Sequence, residues 1–301
     1  MSRYIERAES MVRVIGVNAK LQLDLPSGVT PDWRPLIDVI AANEAFEQTH
    51  SDYSERQVVR FLISDPDCPS SVRSCLRSAR ENCRTVREIL PREAWQYLTE
   101  LQLFVDENLK SGLTKMGRHA FLNRITRTCQ MIMGLLSSVM TRDLGYQFLR
   151  LGRNLERADM ITRFIDMRLA VAQPEKLADS AQLSTVQWVN VLDSLSAYQM
   201  YRRKVHATVE REQVLWFLLQ DDEFPRSFMH CLNAIEESLG ALDNSHPCLL
   251  AARKAARDIE RTSVETLPPE ALTEMMDVLQ SRLLDIHATL ARMYFLPAVG
   301  D

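Results

Sequence analysis

The chain has 301 residues, 25% of them charged, with a formal net charge of −4 and a pI of about 5.9. This balance argues against the strongly basic surfaces of proteins that bind nucleic acids or anionic membranes. No apolar run reaches the roughly 18 residues of a membrane span and no signal peptide is visible, so the sequence predicts a cytoplasmic protein.

Helical periodicity, capping residues and prolines predict about twelve helices and no convincing strand. In chain order, the predicted helices cover about 1–24, 30–46, 54–64, 70–89, 91–108, 119–140, 143–171, 184–205, 210–220, 226–242, 247–264 and 268–294. Residues 110–117 are predicted to be a linker. The loops between helices are mostly short, which favours antiparallel neighbours.

The helix predicted over residues 143–171 has the clearest pattern in the chain. One apolar stripe includes Leu151, Leu155 and Ile165, and a second stripe includes Ile161 and Phe164. A helix that is apolar on two sides is expected to pack on both of them. The same helix is rich in Arg, Glu and Asp, and charges in such a position must be paired, solvated in a cleft or functional.

Four segments of the first half recur in the same order in the second half. Residues 2–18 match 152–168 at a shift of 150, Trp33 matches Trp188 at 155, 58–76 match 214–232 at 156, and 79–94 match 256–271 at 177. A period near 150 is too long for a solenoid repeat. We therefore predict an all-α fold with one domain over residues 1–301, built from two pseudo-symmetric, duplicated half-bundles at about 1–141 and 142–301.

The duplicated charges form the first candidate site. Glu6 and Arg7 correspond to Glu156 and Arg157, and Arg153 lies one turn before Glu156. If these charges converge at a pseudo-twofold axis, the arginine forks would hold a carboxylate or phosphate, and a glutamate would position or deprotonate the bound group. The alternative is an ion-pair network that locks the two halves together.

A second polar candidate is Arg80, Glu81 and Asn82 in the sequence AREN. Asparagine is a poor helix former, so its presence within a predicted helix indicates a specific hydrogen bond. The second half keeps Arg and an acid at the first two positions but has Ile259 in place of Asn82. The alternative is a set of ordinary surface salt bridges.

Two further pairs of matching residues carry structural predictions. Asp65 and Asp221 each precede a proline-containing loop and a helix, so we expect them to accept backbone N–H bonds. Cys75 and Cys231 occupy matching apolar positions and are predicted to be buried thiols. The six cysteines contain no C-x-x-C pair, which favours reduced thiols.

No motif for a metal or cofactor is present in the sequence. There is no H-E-x-x-H, and His206 with Glu210 is a single i, i+4 pair, which is a weak metal signal. The sequence also lacks a P-loop, a dinucleotide fingerprint and a G-x-S-x-G elbow. We therefore predict no metal and no cofactor, and the sequence assigns no catalytic residue.

Three stretches, RYIERAE, SSVRSCLRSAREN and TRDLGYQFLRLGRNLERADMITRFID, resemble the alpha-E family over nearly the whole chain. This is a family of bacterial all-helical proteins of unknown function, named for a Glu-Arg motif. The resemblance implies that the motif residues are Arg153, Glu156 and Arg157, with Arg3, Glu6 and Arg7 as the first copy. Such proteins tend to be encoded with an ATP-grasp ligase-like protein and a transglutaminase-like protein, which implies a role in making or processing an amide-linked product.

The first copy of the motif departs from the second at its start. TRDLGYQFLRLG leads into the second copy, whereas the first copy begins directly at MSRYIER. Either the chain is truncated upstream, or the first helix is about three turns shorter.

Two functions remain open from the sequence. The first is a non-catalytic helical scaffold or substrate-presenting partner of the ATP-grasp and transglutaminase-like proteins. The second is an enzyme or binding protein whose Arg/Glu centre holds an anionic amino-acid or peptide substrate. An open pocket lined by the charges would favour the second function, and buried, saturated ion pairs would favour the first.

Overall fold

The computed structural model describes residues 1–24, 32–170, 180–205 and 208–296, and within these ranges the chain is all-α without strands. The helices are α1 Ser2–Asp24, α2 Arg34–Asp38, α3 Asn43–Thr49, α4 Glu55–Ser64, α5 Val72–Thr85, α6 Arg92–Gly112, α7 Lys115–Val139, α8 Leu144–Ala170, α9 Ser180–Ser194, α10 Tyr198–Val205, α11 Arg211–Leu219, α12 Phe228–Gly240, α13 His246–Glu260 and α14 Pro269–Tyr294. A 3₁₀ turn covers Val264–Thr266. The all-α prediction is confirmed. Pro26 and Gly28, which follow the first predicted helix and would end it, lie outside the described residues.

Two predicted helices are each broken into two, which raises the number of helices in the described ranges above the predicted twelve. Predicted helix 30–46 contains a break at Ala41 (φ 51°), and predicted helix 184–205 contains one at Ser196 (φ 54°). In each case the left-handed residue donates its N–H to the carbonyl three residues earlier, at Asp38 and Asp193 respectively, which ends the helix in a turn. The two breaks are 155 positions apart, the same shift that relates Trp33 and Trp188.

The predicted linker at 110–117 is wrong, because most of it is helical. Gly112 belongs to α6 and lies so close to α7 that a Cβ there would be 2.6 Å from the ring of Phe121. Thr114 then caps α7, since its Oγ1 accepts the N–H of Gly117 at 3.1 Å. Gly112 therefore permits close packing of two helices, and only two residues connect them.

The chain divides into two compact units. Unit 1 comprises Met1–Thr141 and Ala170–Ser196, and unit 2 comprises Arg142–Leu169 and Ala197–Asp301. In unit 1, α1 packs on α5, α7 and α9, while α6 packs between α5 and α7. In unit 2, α13 packs on both α12 and α14, and α11 packs on the 3₁₀ turn.

Helix α8 buries both of its predicted apolar stripes. Leu151, Leu155 and Ile165 of the first stripe are at most 4% exposed, and Ile161 and Phe164 of the second are fully buried. Because two sides of α8 are buried, several of its charged residues lie in a largely apolar environment.

Within the described ranges, no helix combines the length and the apolar character that crossing a membrane requires.

Candidate functional site

The Glu-Arg pairs lie on the long helices α1 and α8 and are largely buried. Glu6 is 1% exposed, Glu156 is fully buried and Arg157 is 9% exposed, while Arg7 and Arg153 are half-buried. All five side chains take part in polar or electrostatic interactions. Charges buried to this degree are not open to solvent as a substrate site would be, and they need partners within the protein.

Arg157 binds the loop that precedes α12. Its Nη1 donates to the backbone carbonyl of Pro225 at 3.1 Å, and the two residues are 68 positions apart in the chain. The thiol of Cys231 points at the same carbonyl oxygen, 4.0 Å away. The arginine therefore fastens a long helix to a loop through a charge-assisted hydrogen bond.

The loop before α12 is held by its own side chains. Asp221 Oδ1 accepts the backbone N–H groups of Glu223 and Phe224, both at 2.9 Å. The hydroxyl of Ser227 donates to the carbonyl of Asp221 and accepts the N–H of His230 at 3.1 Å, which caps α12. The predicted role of Asp221 as an acceptor of backbone N–H groups is confirmed.

The loop before α5 in unit 1 repeats these contacts. Asp65 Oδ1 accepts the N–H groups of Asp67 at 2.9 Å and Cys68 at 3.2 Å. Ser71 Oγ donates to the carbonyl of Asp65 at 2.7 Å and caps α5 by accepting the N–H of Ser74 at 3.2 Å. The prediction for Asp65 is confirmed, and each of these contacts has a counterpart 156 positions later.

Arg7 lies close to the loop of unit 1, as Arg157 does to the loop of unit 2. Burial raises the pKa of the Cys68 thiol, and the nearby Arg7 guanidinium opposes that rise. Cys75 donates its thiol to the carbonyl of Pro69 at 3.6 Å, matching Cys231 and Pro225. Both units therefore bring the arginine of a Glu-Arg pair to a proline loop. These matching loops are only part of each half, so the duplication of the two halves stays a prediction.

A second layer of charge pairs follows one turn later on each long helix. Arg13 donates to Glu9 Oε1 from Nε at 3.1 Å and from Nη2 at 2.7 Å, and Arg163 Nε donates to Asp159 at 2.8 Å. These i, i+4 pairs are again 150 positions apart. Gln130 of α7 also donates to Glu9, at 3.3 Å. The acids beside the Glu-Arg pairs thus hold arginines of their own helices.

The thiol of Cys129 lies close enough to this layer in unit 1 to be affected by its charges. Burial raises its pKa well above the usual 9.0, and the carboxylates of Glu9 and Glu6 raise it further. The thiolate, which is the reactive form, is therefore suppressed at neutral pH. All six cysteines are buried and none forms a disulfide, so the buried thiols predicted at Cys75 and Cys231 are confirmed.

The AREN residues do not join the buried centre. Glu81 is exposed and pairs with Arg84 at 2.6 Å, and Asn82 is exposed and donates to the Ser78 carbonyl at 2.7 Å. Hydrogen bonding from Arg84 lowers the pKa of Glu81. These contacts agree with the alternative reading of this segment as surface salt bridges, and the asparagine bond stays within its own helix.

Arg80, by contrast, contacts Trp95, which lines a surface cleft that the sequence analysis missed. Its Nε donates to Thr99 Oγ1 at 3.3 Å, and its guanidinium lies 4.8 Å from the ring centroid of Trp95. Arg87 approaches the same ring to 5.3 Å, beside a cleft of about 890 Å³ whose rim includes Ile89. The arginines near Trp95 in the sequence could have indicated this contact. Only the packing of α5 on α6 shows that Arg80 and Arg87 reach the same ring.

In the described part of the chain, no group of three or more His, Cys, Asp or Glu side chains is arranged to hold a metal ion.

The described residues therefore form an all-α protein with a Glu-Arg pair on a long helix of each unit. The chain belongs to the Alpha-E family, described as a predicted alpha-helical domain with a conserved ER motif, and the family profile matches residues 1–295.

Curated relatives come from mycobacteria and are described as uncharacterised. A protein of Mycobacterium bovis and one of Mycobacterium tuberculosis are each 24% identical over 313 residues, and one from another Mycobacterium tuberculosis strain is 23% identical. Each match covers 96% of this chain but only 34% of the relative, so the chain spans about a third of their length. No solved structure matches the chain.

Proposed function

We propose that the chain is a non-catalytic helical partner of an ATP-grasp ligase-like protein and a transglutaminase-like protein. In this role it acts as a scaffold or presents a substrate while the partners make or modify amide bonds. Membership of the Alpha-E family supports this proposal through the gene neighbourhood that the sequence resemblance implies. The greater length of the curated relatives is compatible with a chain that works alongside other domains.

The observation that carries the proposal is the burial of the Glu-Arg centres. A catalytic or binding centre for an anionic substrate needs charges that the substrate reaches, yet Glu156 is fully buried and Arg157 is 9% exposed. Arg157 already donates to the carbonyl of Pro225. In unit 1, Glu9 accepts bonds from both Arg13 and Gln130. Buried interactions of this kind stabilise a fold and favour the scaffold over the enzyme.

A scaffold also needs a surface that contacts its partner, and the Arg–Trp cleft of unit 1 offers one. Ile89 is 55% exposed and Val86 is 38% exposed, next to Trp95 and the guanidinium of Arg87. Exposed apolar side chains combined with arginine and tryptophan are the composition of interface hot spots. The charge of the cleft favours an acidic segment of the ligase-like partner.

The test is co-purification of the tagged chain with the ligase-like protein expected in its gene neighbourhood, followed by an ATP-hydrolysis assay with and without the chain. We expect a complex, and we expect ATP hydrolysis to change when the chain is added, while the chain alone hydrolyses no ATP. The proposal would be refuted if the chain formed a complex with neither the ligase-like nor the transglutaminase-like protein.

Surface variants sharpen this test. Arg87→Glu and Trp95→Ala should each weaken complex formation about tenfold or more, as loss of an interface hot spot does. Arg60→Glu is the matched control, because Arg60 is an exposed arginine of α4 that lies outside this cleft. Equal retention of the partner by Arg87→Glu and Arg60→Glu would rule out the cleft as the contact surface.

A further inference from the structure

A small cleft of about 210 Å³ lies among α1, α4 and α7 of unit 1, away from the Glu-Arg pair. Lys20 of α1, Glu55 of α4, and Lys115, Arg118 and His119 of α7 are among its lining residues. Three permanent cations therefore surround a single carboxylate. The cleft keeps a net positive charge even when His119 is neutral.

Glu55 is already shared between two of these cations. Its Oε1 accepts from Arg118 Nη1 at 2.6 Å, and its Oε2 lies 3.0 Å from Lys115 Nζ. Burial alone would raise the pKa of Glu55, but the bonds from Arg118 and Lys115 outweigh burial and lower it. The carboxylate is therefore ionised, and one carboxylate does not balance the three cations that line the cleft.

Arg118, which lines this cleft, has one N–H donor without an acceptor in the described part of the chain. The residue is 4% exposed, and its Nε is buried without a hydrogen-bond partner among the described residues. A buried guanidinium N–H without an acceptor is unfavourable, because arginine cannot lose its charge and its donors are fixed in a planar fork. Arg118 also lines the cleft, so its positive charge contributes to the attraction of an anion there.

Two helix N-termini add to the positive potential. Glu55 is the first residue of α4 and Lys115 is the first residue of α7, so both helices begin at the cleft. The N-cap of α4, Ser54, makes no side-chain capping bond. First-turn N–H groups attract anions, which reinforces the lysines and Arg118.

We propose that this cleft binds a small oxyanion, the carboxylate or phosphate group of a larger ligand or of a free ion. Arginine binds both groups through its planar fork, and lysine supplies a point charge to either. A volume of about 210 Å³ holds such a group with a short attached chain, and is below the roughly 300 Å³ at which drug-sized pockets begin. The proposal does not depend on the partner role above, because neither the Glu-Arg pairs nor the Arg–Trp cleft contribute to the site.

The test is a titration of the full chain with inorganic phosphate and, separately, with acetate, at constant ionic strength set by sodium chloride. Binding is followed by the thermal midpoint, which rises with ligand concentration if the native state binds it. We expect a saturable rise with at least one of the two probes. A preference for phosphate would indicate a phosphate-bearing ligand, and equal binding or a preference for acetate would indicate a carboxylate.

Two lysine variants show whether the rise comes from this cleft. Lys20 is exposed, so Lys20→Met should retain the fold while affinity falls about fivefold or more. Lys110→Met is the matched control, since Lys110 is an exposed lysine of α6 outside the cleft. A non-saturable response to both probes, or an equal response of the two variants, would overturn the proposal. Complex formation with the ligase-like protein should be unchanged in Lys20→Met, which separates this test from that of the partner role.

Discussion

Replacing Arg157 by alanine removes the side chain that fastens α8 to the loop before α12. The hydrogen bond from its guanidinium to the carbonyl of Pro225 is charge-assisted and partly buried, and such bonds contribute about 1.5–3 kcal/mol. The residue is 9% exposed, so its three methylene groups lose burial worth about 2 kcal/mol. We therefore expect the free energy of unfolding to fall by about 3–5 kcal/mol, the range found when a buried charge loses its partner.

The measurement is urea unfolding of Arg157→Ala beside the parent chain, with the slope of the transition compared as well as its midpoint. For a chain of this length, the same loss lowers the melting temperature by about 5–8 °C. Arg60→Ala is the control, because Arg60 is exposed and forms no ion pair with any described residue. Its free energy of unfolding should change by no more than about 0.5 kcal/mol.

An unchanged unfolding midpoint for Arg157→Ala would refute this reasoning. A solvated arginine in a substrate site costs about 1 kcal/mol or less when it is removed. Such a result would mean that the bond to Pro225 does not hold the loop, and it would favour the Arg/Glu centre as a binding site. Arg157→Lys should be intermediate, since lysine keeps the charge but lacks the fork.

Two further predictions concern a cap and a carboxyl group. Ser227→Ala should lower the free energy of unfolding by about 1–2 kcal/mol in urea, because it removes the side-chain cap of α12, whereas Ser54→Ala should have little effect since Ser54 makes no such bond. Burial and the nearby Asp277 raise the pKa of Asp166, so Asp166 contributes full stability only below its unfolded pKa of about 3.9 and loses it as the pH rises through the folded value. Asp166→Asn should therefore be more stable than the parent at pH 7, with the advantage gone near pH 3. Equal urea midpoints at pH 7 would contradict this expectation.

Local sequence determined most of the secondary structure. The two apolar stripes of α8 repeat every three or four residues, and such a pattern is favourable only in a helix that buries both sides. Ser71 and Ser227 precede their helices as capping residues, and both cap the helix in the structure. Asp65 and Asp221 accept backbone N–H groups two and three residues later, as expected. These features depend on neighbours a few residues away, which the sequence shows directly.

The helix breaks at Ala41 and Ser196 were harder to predict, because tertiary packing and not local sequence determines the backbone conformation there. No glycine or proline lies near Ala41 or Ser196, yet both adopt positive φ and end a helix turn. The buried Trp33 and Trp188 lie eight residues before these breaks. A left-handed alanine or serine is locally unfavourable, so only the surrounding tertiary structure stabilises it.

The partners of the charged residues were decided by the tertiary structure alone. Nothing in the sequence around Arg157 indicated its bond to a loop carbonyl 68 residues away. Arg118 meets Glu55 across 63 residues, and nothing in the local pattern of either helix indicated that pair. An arginine fork donates to any carbonyl or carboxylate within reach, so residue type fixes the need for a partner, while helix packing selects which one is close enough.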